Sequence, residues 1–399
     1  MIKKYLYFLF ILSFVYASDL IKNIQISGNT KTKDKIILKA IQHPLGISFN
    51  STIAKKDQED IYNLNIFNFV QIGYIDSTYH IIVEEKSNFS ISPLIIKNNS
   101  LDKGFGPKIL FHNIKGNNNQ IELGGAFGKI KHIYIQYQNS LINRKNQSYS
   151  ITSFYEKNKN IIDSYVQISS TTKLSYDFKK NQKKISIFLN NEKKQVTYEE
   201  NNIQNFHFIN TGIDYELNKK TIYKTIKFNL CFSKFLSLND IANYAKLSVQ
   251  HHHVKKLSNE KSSPYLSITS QAQFISKEFS PIYETIYLGG DELVRSYETD
   301  PKLNNTEVQN KLKFNNLIFN SIQFEIPIFF TNTIQNNIFF FIDQAIGGNQ
   351  SIHFERFNAI KGYGVGYSIS TKKKIKFDLS IGINDYGQRL FHFNVMSTS

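Results

Sequence analysis

The sequence has no tryptophan and one cysteine, Cys231, among 399 residues. A single cysteine excludes an intrachain disulfide and any cysteine-built metal cluster. Cys231 also lies far from the N-terminus, so it is no lipoprotein anchor; it reads as a small filler on a strand. Mean hydropathy is −0.33, which excludes a bundle of membrane-crossing helices. A barrel that crosses with strands is not excluded, because half of each such strand is polar. No nucleophile elbow, phosphate loop or zinc motif occurs, and the carboxylates show no pairing that suggests hydrolysis. The reading is a non-enzyme without cofactor. In the run His251-His252-His253, neighbours on a strand point to opposite faces, so at most two could share a metal. No metal site is assigned.

What is present is aromatic and basic. There are 33 Phe and 23 Tyr, and the formal net charge is +16. Lysine, asparagine and isoleucine are abundant throughout, so the charge reads as compositional bias, with solvated lysines on loops and in a lumen. Charge speaks to partners and not to fold, and no nucleic-acid partner is assigned. Residues 1–17 read as a secretory signal. Lys3 and Lys4 precede the apolar stretch Tyr5 to Val15, which is too short to span a bilayer as a helix. Val15-Tyr16-Ala17 offers a cleavage site before Ser18.

Residues 20–87 form a unit of their own. Ile21, Ile24 and Ile26 predict a strand, turned by Gly28-Asn29. Ile36, Ile37, Ala40 and Ile41 recur at helical spacing, and Pro44-Leu45-Gly46 breaks that helix. A second helix is predicted from about Ser51 to Leu64, then strands at Phe67 to Ile75 and Tyr79 to Val83. From residue 88 to 399 helical periodicity stops and alternation takes over. Ile185, Ile187 and Leu189 alternate with Ser186 and Phe188. Ile222, Ile226, Phe228, Leu230 and Phe232 share one parity. Ile322, Phe324, Ile326 and Ile328 oppose Ser321, Gln323 and Glu325. Tyr363, Val365, Tyr367 and Ile369 oppose Gly364, Gly366, Ser368 and Ser370. Phe377, Leu379 and Ile381 oppose Lys376, Asp378 and Ser380. A soluble sandwich would also alternate, with the apolar face turned inward. Recurrence over roughly 310 residues, at about 19 per strand and turn, instead predicts about 16 antiparallel strands, an even number as bacterial barrels have. Phe and Tyr would then form the aromatic girdles. The predicted fold class is mainly β: a transmembrane β-barrel after one small α+β domain.

Several fragments, in order, resemble the outer-membrane protein assembly factor superfamily (BamA/TamA-like proteins and two-partner secretion transporters). The opening Ile24-x-Ile26-x-Gly28-Asn29, the Leu64-x-Ile66-Phe67-x-Phe69-Val70 junction and the closing Ile81-x-Val83-Glu84-Glu85 resemble a POTRA domain. The resemblance implies a periplasmic module whose sheet edge accepts an extended client segment. Leu288-Gly289-Gly290 and Leu293-Val294-Arg295-Ser296-Tyr297 resemble the family's conserved loop, with Ser296 where the family has glycine. A left-handed backbone there would strain Ser296. Phe341-Ile342-Asp343-Gln344-Ala345 resembles a family strand, and Gly362 to Gly366 with Lys376-Phe377-Asp378 resembles the penultimate strand pair. Gly104-Phe105-Gly106 and Gly124 to Gly128 resemble the first strands.

The resemblance implies a loop near 276–310 folded into the barrel, with Arg295 paired first with Asp343 and second with Asp378. Gly289, Gly290 and Tyr297 belong to that lock. By parity Glu325 and Asp378 face the lumen. Asp343 stays ambiguous, because Ile338 to Ile342 is apolar on both faces. Gly362, Gly364 and Gly366 leave a strand without lumen side chains, either as space for the loop or a bendable strand, or as a barrel-shaping kink. Phe391, Phe393 and Val395 are expected to form the last strand. The implied function is outer-membrane β-barrel assembly, insertion or polypeptide translocation, without nucleotide. Alternatives are a two-partner secretion transporter for one exoprotein, and a passive pore or surface antigen. The implied partners are unfolded outer-membrane protein clients, the lipid bilayer and accessory envelope proteins. The implied place is the outer membrane, with the N-terminal domain in the periplasm.

Overall fold

The computed structural model describes residues 20–397, apart from 44, 98–102, 141–146, 161–163, 181, 199–201, 220–223, 237–242, 259, 261, 277–280, 291–292, 299–311, 332, 350–357 and 372–374. The signal at 1–17 lies outside the described residues, as do Pro44, Ile222 and much of the 276–310 loop. The described chain divides into two compact units. The first takes in the chain up to Ser90 and Leu110–Ile121; the second takes in most of a large sheet.

The first unit starts with β1 (Asn23–Ser27), α1 (Asp34–Ala40), α2 (Ser51–Tyr62), β2 (Phe67–Ile75) and β3 (Thr78–Glu85). β3 is central, parallel to β1 and antiparallel to β2. The Asn50 side chain accepts from the backbone N–H groups of Thr52 and Ile53, which caps α2 and fixes its start. Ile36, Ile37 and Ala40 of α1 and Ile61 of α2 pack on Phe67, Val70, Tyr79 and Ile81. Gly28 follows β1 at φ +87°, and a Cβ there would lie 1.9 Å from the Val83 carbonyl oxygen. Only glycine meets both demands.

Inside this core sits a fully buried carboxylate, Asp57. It accepts from the backbone N–H of Gln42 at 2.6 Å, from His43 Nδ1 at 2.9 Å and from the Tyr79 hydroxyl at 2.9 Å. His43 Nε2 accepts from the Asn50 backbone N–H. The proton therefore sits on Nδ1 and the imidazole is neutral. Burial, and then the hydrogen bond to Asp57, push the Tyr79 hydroxyl well above its ordinary range.

The large sheet has 16 strands. They are β4 (Phe89–Lys97), β5 (Lys103–Ile114), β6 (Asn119–Gly128), β7 (Lys131–Ser140), β8 (Gln147–Asn160), β9 (Tyr165–Lys180), β10 (Lys183–Tyr198), β11 (Ile203–Lys219), β12 (Lys224–Phe235), β13 (Tyr244–Lys256) and β14 (Tyr265–Ile275). After the short pair β15 (Ile286–Tyr287) and β16 (Lys313–Phe314) come β17 (Asn316–Phe330), β18 (Ile334–Gly348), β19 (Asn358–Thr371), β20 (Ile375–Asn384) and β21 (Arg389–Ser397). Sheet order follows chain order, with β14 beside β17, and β4 and β21 stand at its two ends.

The alternation sorts the two faces. Ile185, Ile187, Leu189, Ile322, Ile326, Tyr363, Val365, Leu379 and Ile381 are exposed, whereas Ser186, Ser321, Glu325, Ser368 and Ser380 are buried. Apolar outside and polar inside is the reverse of a soluble sandwich. An apolar exterior of this extent marks a surface made for a partner or a membrane. β18 resolves the stretch that alternation left undecided. Asn337, Phe339, Phe341, Asp343 and Ala345 are buried, while Ile338, Phe340, Ile342 and Ile346 are exposed. Asp343 faces inward.

Between β14 and β17 the chain leaves the sheet. A short 3-10 turn at Ile282–Glu284 precedes β15. This one excursion touches β8 through Asn160, β13 through Lys246 and β18 through Asp343. Those strands are far apart in sheet order, so the sheet curls round the loop.

Candidate functional site

The loop closes on itself before it meets the wall. The Gly290 N–H donates to the Tyr297 carbonyl at 2.8 Å, and the Val294 N–H to the Leu288 carbonyl at 2.8 Å. Gly290 has φ +99°, and a Cβ on Gly289 would lie 2.0 Å from the Glu298 carbonyl oxygen. The glycine pair lets the two arms touch. Leu288, Val294 and Tyr297 then pack on Phe314, Leu317, Phe319, Ala345 and Ile360. The Tyr297 ring meets Tyr386 edge-on at 6.4 Å. Asp291 and Glu292, which complete the motif, lie outside the described residues.

This packing aims Arg295 at the wall. Its Nε lies 3.0 Å from Asp343 Oδ2 and its Nη2 lies 2.9 Å from Asp343 Oδ1, a two-pronged pairing. Asp343 Oδ2 also accepts the Arg295 backbone N–H at 3.0 Å. The remaining donors reach Gln323 Oε1 and Ser321 Oγ. The guanidinium carbon lies 3.7 Å from the centre of the Phe341 ring. Asp343 is fully buried, and such a carboxylate needs this company: removing one partner of a buried pair costs about 3–5 kcal/mol.

Register explains why these residues meet. Ser321 pairs with Asp343, and Asp343 with Gly362; Gln323 pairs with Phe341, Phe341 with Gly364, and Gly364 with Gly382. The next inward row is Tyr265, Glu325, Phe339, Gly366 and Ser380. Arg295 lies over the first two rows. A Cβ on Gly364 would lie 2.5 Å from Phe341 Cζ, and one on Gly366 would lie 2.2 Å from Phe339 Cζ. These two glycines make room for the rings that floor the guanidinium. Gly362 makes room for the loop: a Cβ there would lie 1.5 Å from Ser296 Oγ, and one on Gly382 would lie 2.9 Å from Ser296 Cα. Ser296 itself is fully buried and its backbone is not left-handed, so the serine costs no backbone strain.

The other two acids lie below the fork. Glu325 accepts from Gln323 Nε2 at 2.6 Å, from Asn337 Nδ2 at 3.2 Å and from the Tyr265 hydroxyl. Gln323 therefore links Glu325 to Arg295. Asp378 does not reach Arg295; it pairs with Lys376 at 3.3 Å, and Lys376 also stands 3.6 Å from Glu325. The expected second partner of Arg295 is thus held by a lysine two residues away on its own strand. A cavity of about 410 Å³ lies here, lined by Arg295, Gln323, Glu325, Lys376 and Asp378 among others.

The root of the loop holds a contact that alternation could not reveal. Glu284 pairs with Lys246 at 2.7 Å and accepts from the Tyr244 hydroxyl at 2.9 Å. Burial alone would favour the neutral acid, but Lys246 and Lys194 outweigh it and hold this carboxyl below its ordinary range. Lys194 lies 3.7 Å from the centre of the Tyr283 ring. The signal was modest: an acid after Pro281-Ile282-Tyr283, with its lysines 38 and 90 residues away. Elsewhere, His251 and His253 stack at 6.3 Å while His252 bonds Thr269. No group of three metal-ligating side chains occurs among the described residues.

No family model and no curated protein matches the sequence. Solved structures do match the fold. The crystal structure of BamA from Haemophilus ducreyi lacking POTRA domains 1–3 superposes with a TM-score of 0.70 at 12% identity, over 94% of this chain and 83% of that one. CdiB from Acinetobacter baumannii gives 0.62 at 12% identity, over 94% and 73%. CdiB from Escherichia coli gives 0.61 at 11% identity, over 94% and 74%. The 16-stranded sheet and the small α+β unit before it are the fold shared with these proteins.

Proposed function

We propose that this chain is an outer-membrane β-barrel of the assembly-factor kind, which inserts or translocates other polypeptides. The likeness in fold to BamA and CdiB supports the class. One observation carries the reading further: a loop folded inside an apolar-surfaced sheet places Arg295 on the buried carboxylate of Asp343. The pair fixes one position of the loop, and buried ion pairs serve specificity better than stability. Tyr297, Gly289, Gly290 and Gly362 complete the seat. The N-terminal unit is assigned to the periplasm as a POTRA-like domain whose sheet edge receives client segments. The leader at 1–17 directs export. The work needs no cofactor, because client folding and strand pairing supply the driving force.

The experiment is Arg295→Ala in the native host, with outer-membrane proteomics. Export of the variant should continue while client barrels fall. Normal client levels would remove the proposal. Depletion of the chain separates the classes: broad barrel loss favours assembly, loss of one exoprotein favours dedicated secretion, and loss of neither favours a passive pore.

A further inference from the structure

Building on the role proposed for the inward loop, we propose that Glu284 is a second anchor of opposite charge. It is a positioning residue that holds the loop's root to the β10–β13 wall and so determines where Arg295 can reach. Ile282 and Tyr283 form an apolar wedge: Tyr283 meets Phe206 edge-on at 5.4 Å and Phe208 at 6.5 Å. Glu284 follows the wedge and reaches Lys246 and Tyr244. Gln273 Nε2 donates to the Glu284 carbonyl at 3.1 Å, which pins the backbone as well. Asn160 Nδ2 donates to the Tyr287 hydroxyl at 2.9 Å and extends the attachment to β8.

The two anchors differ in sign. At the root, the loop supplies an anion and the wall supplies Lys246 and Lys194, the latter balanced by Glu192 at 3.0 Å. At the tip, the loop supplies a cation and the wall supplies Asp343, with Glu325 behind Gln323. A loop seated the other way round would bring Arg295 to lysines and Glu284 to Asp343. Buried like charges would oppose that arrangement. The lumen therefore accepts the loop in one orientation, strapped across from wall to wall.

The test uses the full chain, folded in detergent micelles. Cys231 is the only native cysteine, so a Cys231→Ser background carries one reporter, Leu288→Cys. Leu288 is fully buried and lies between the anchors. Its reaction with a charged maleimide reports release of the strap. Glu284→Lys and Lys246→Glu should each raise the labelling rate about tenfold or more, the effect of losing a charged hydrogen bond. The double exchange should return the rate toward the parent, which loss of packing alone would not do. If Glu284→Lys fails to fold, Glu284→Gln with the double exchange carries the same test. Unchanged labelling in the variants, or a double exchange no better than the worse single one, overturns the anchor. Client assembly is scored in parallel. Released labelling with normal assembly keeps the anchor and defeats the assembly role; unchanged labelling with assembly lost in Arg295→Ala does the opposite.

Discussion

A guanidinium that meets one carboxylate with two N–H groups, and Gln323 and Ser321 with the rest, uses a planar fork that an ammonium lacks. Arg295→Lys keeps the charge but forfeits about two charged hydrogen bonds, each worth about 1.5–3 kcal/mol. It should weaken the site nearly as much as alanine does, and a double-mutant cycle with Asp343→Asn, read by urea unfolding in detergent, should show strong coupling. Additive effects would mean the two side chains do not act as a pair. Gly362 tests the seat from the other side. Gly362→Ala forces its Cβ against Ser296 Oγ and should lower the heat needed to unfold the barrel. Adding Ser296→Gly removes the obstructing atoms and should restore it. A Gly362→Ala chain as stable as the parent would show that the loop tip does not rest on that strand.

Elements carry their own tests. In the first unit, α2 delivers Asp57 to donors from the Gln42–His43 segment and from β3. Asp57→Ala leaves four donors, the backbone N–H groups of Gln42 and His43, His43 Nδ1 and the Tyr79 hydroxyl, without an acceptor, which should cost at least about 3 kcal/mol. The end of β3 has a pH-dependent clasp. The Glu85 carboxylate accepts from the backbone N–H groups of Lys31 and Thr32 and from the hydroxyls of Thr30 and Thr32. Partial burial opposes its ionisation, but those hydrogen bonds prevail and its carboxyl sits below the ordinary value. A depressed acid stabilises the folded state above its unfolded pKa of about 4.3 and loses that contribution as pH falls through the lower folded value. Protection of the β1 and β3 amides against hydrogen exchange in the full chain, taken relative to the intrinsic exchange rate at each pH, should therefore fall on acidification below that range. Glu85→Gln should flatten the dependence; an equally steep profile in that variant would place the acid sensitivity elsewhere.

For the whole molecule, the decisive property is the inversion of faces. Ile342 is 61% exposed, on the same strand as the fully buried Asp343. In water, a lysine at such a position would be nearly neutral. On a barrel in a bilayer it should cost about 2–4 kcal/mol near the midplane. Ile342→Lys should therefore lower barrel stability in vesicles, measured as urea-dependent folding, and leave the fork geometry alone. No loss of stability in vesicles would argue against a lipid-facing wall and with it the membrane placement.

The strand alternation was legible because side chains on a strand change face at every residue. Apolar parity from Ile185 to Ile381 marked one face, and counting such segments led to about 16 strands. The glycine pair and the Arg295 motif were legible too, since few other residues permit that turn and that fork. The facing of Asp343 was not, because Phe339 and Phe341 are as apolar as their outward neighbours; their rings find room inside opposite Gly364 and Gly366. Nor could local pattern say that Lys376 would hold Asp378, or that Glu284 would find Lys246. Those pairings depend on rotamers and on how a curled sheet brings distant strands to one loop. Alternation and motif determined the type of wall and the residue to watch; the curl of the sheet decided which charges meet.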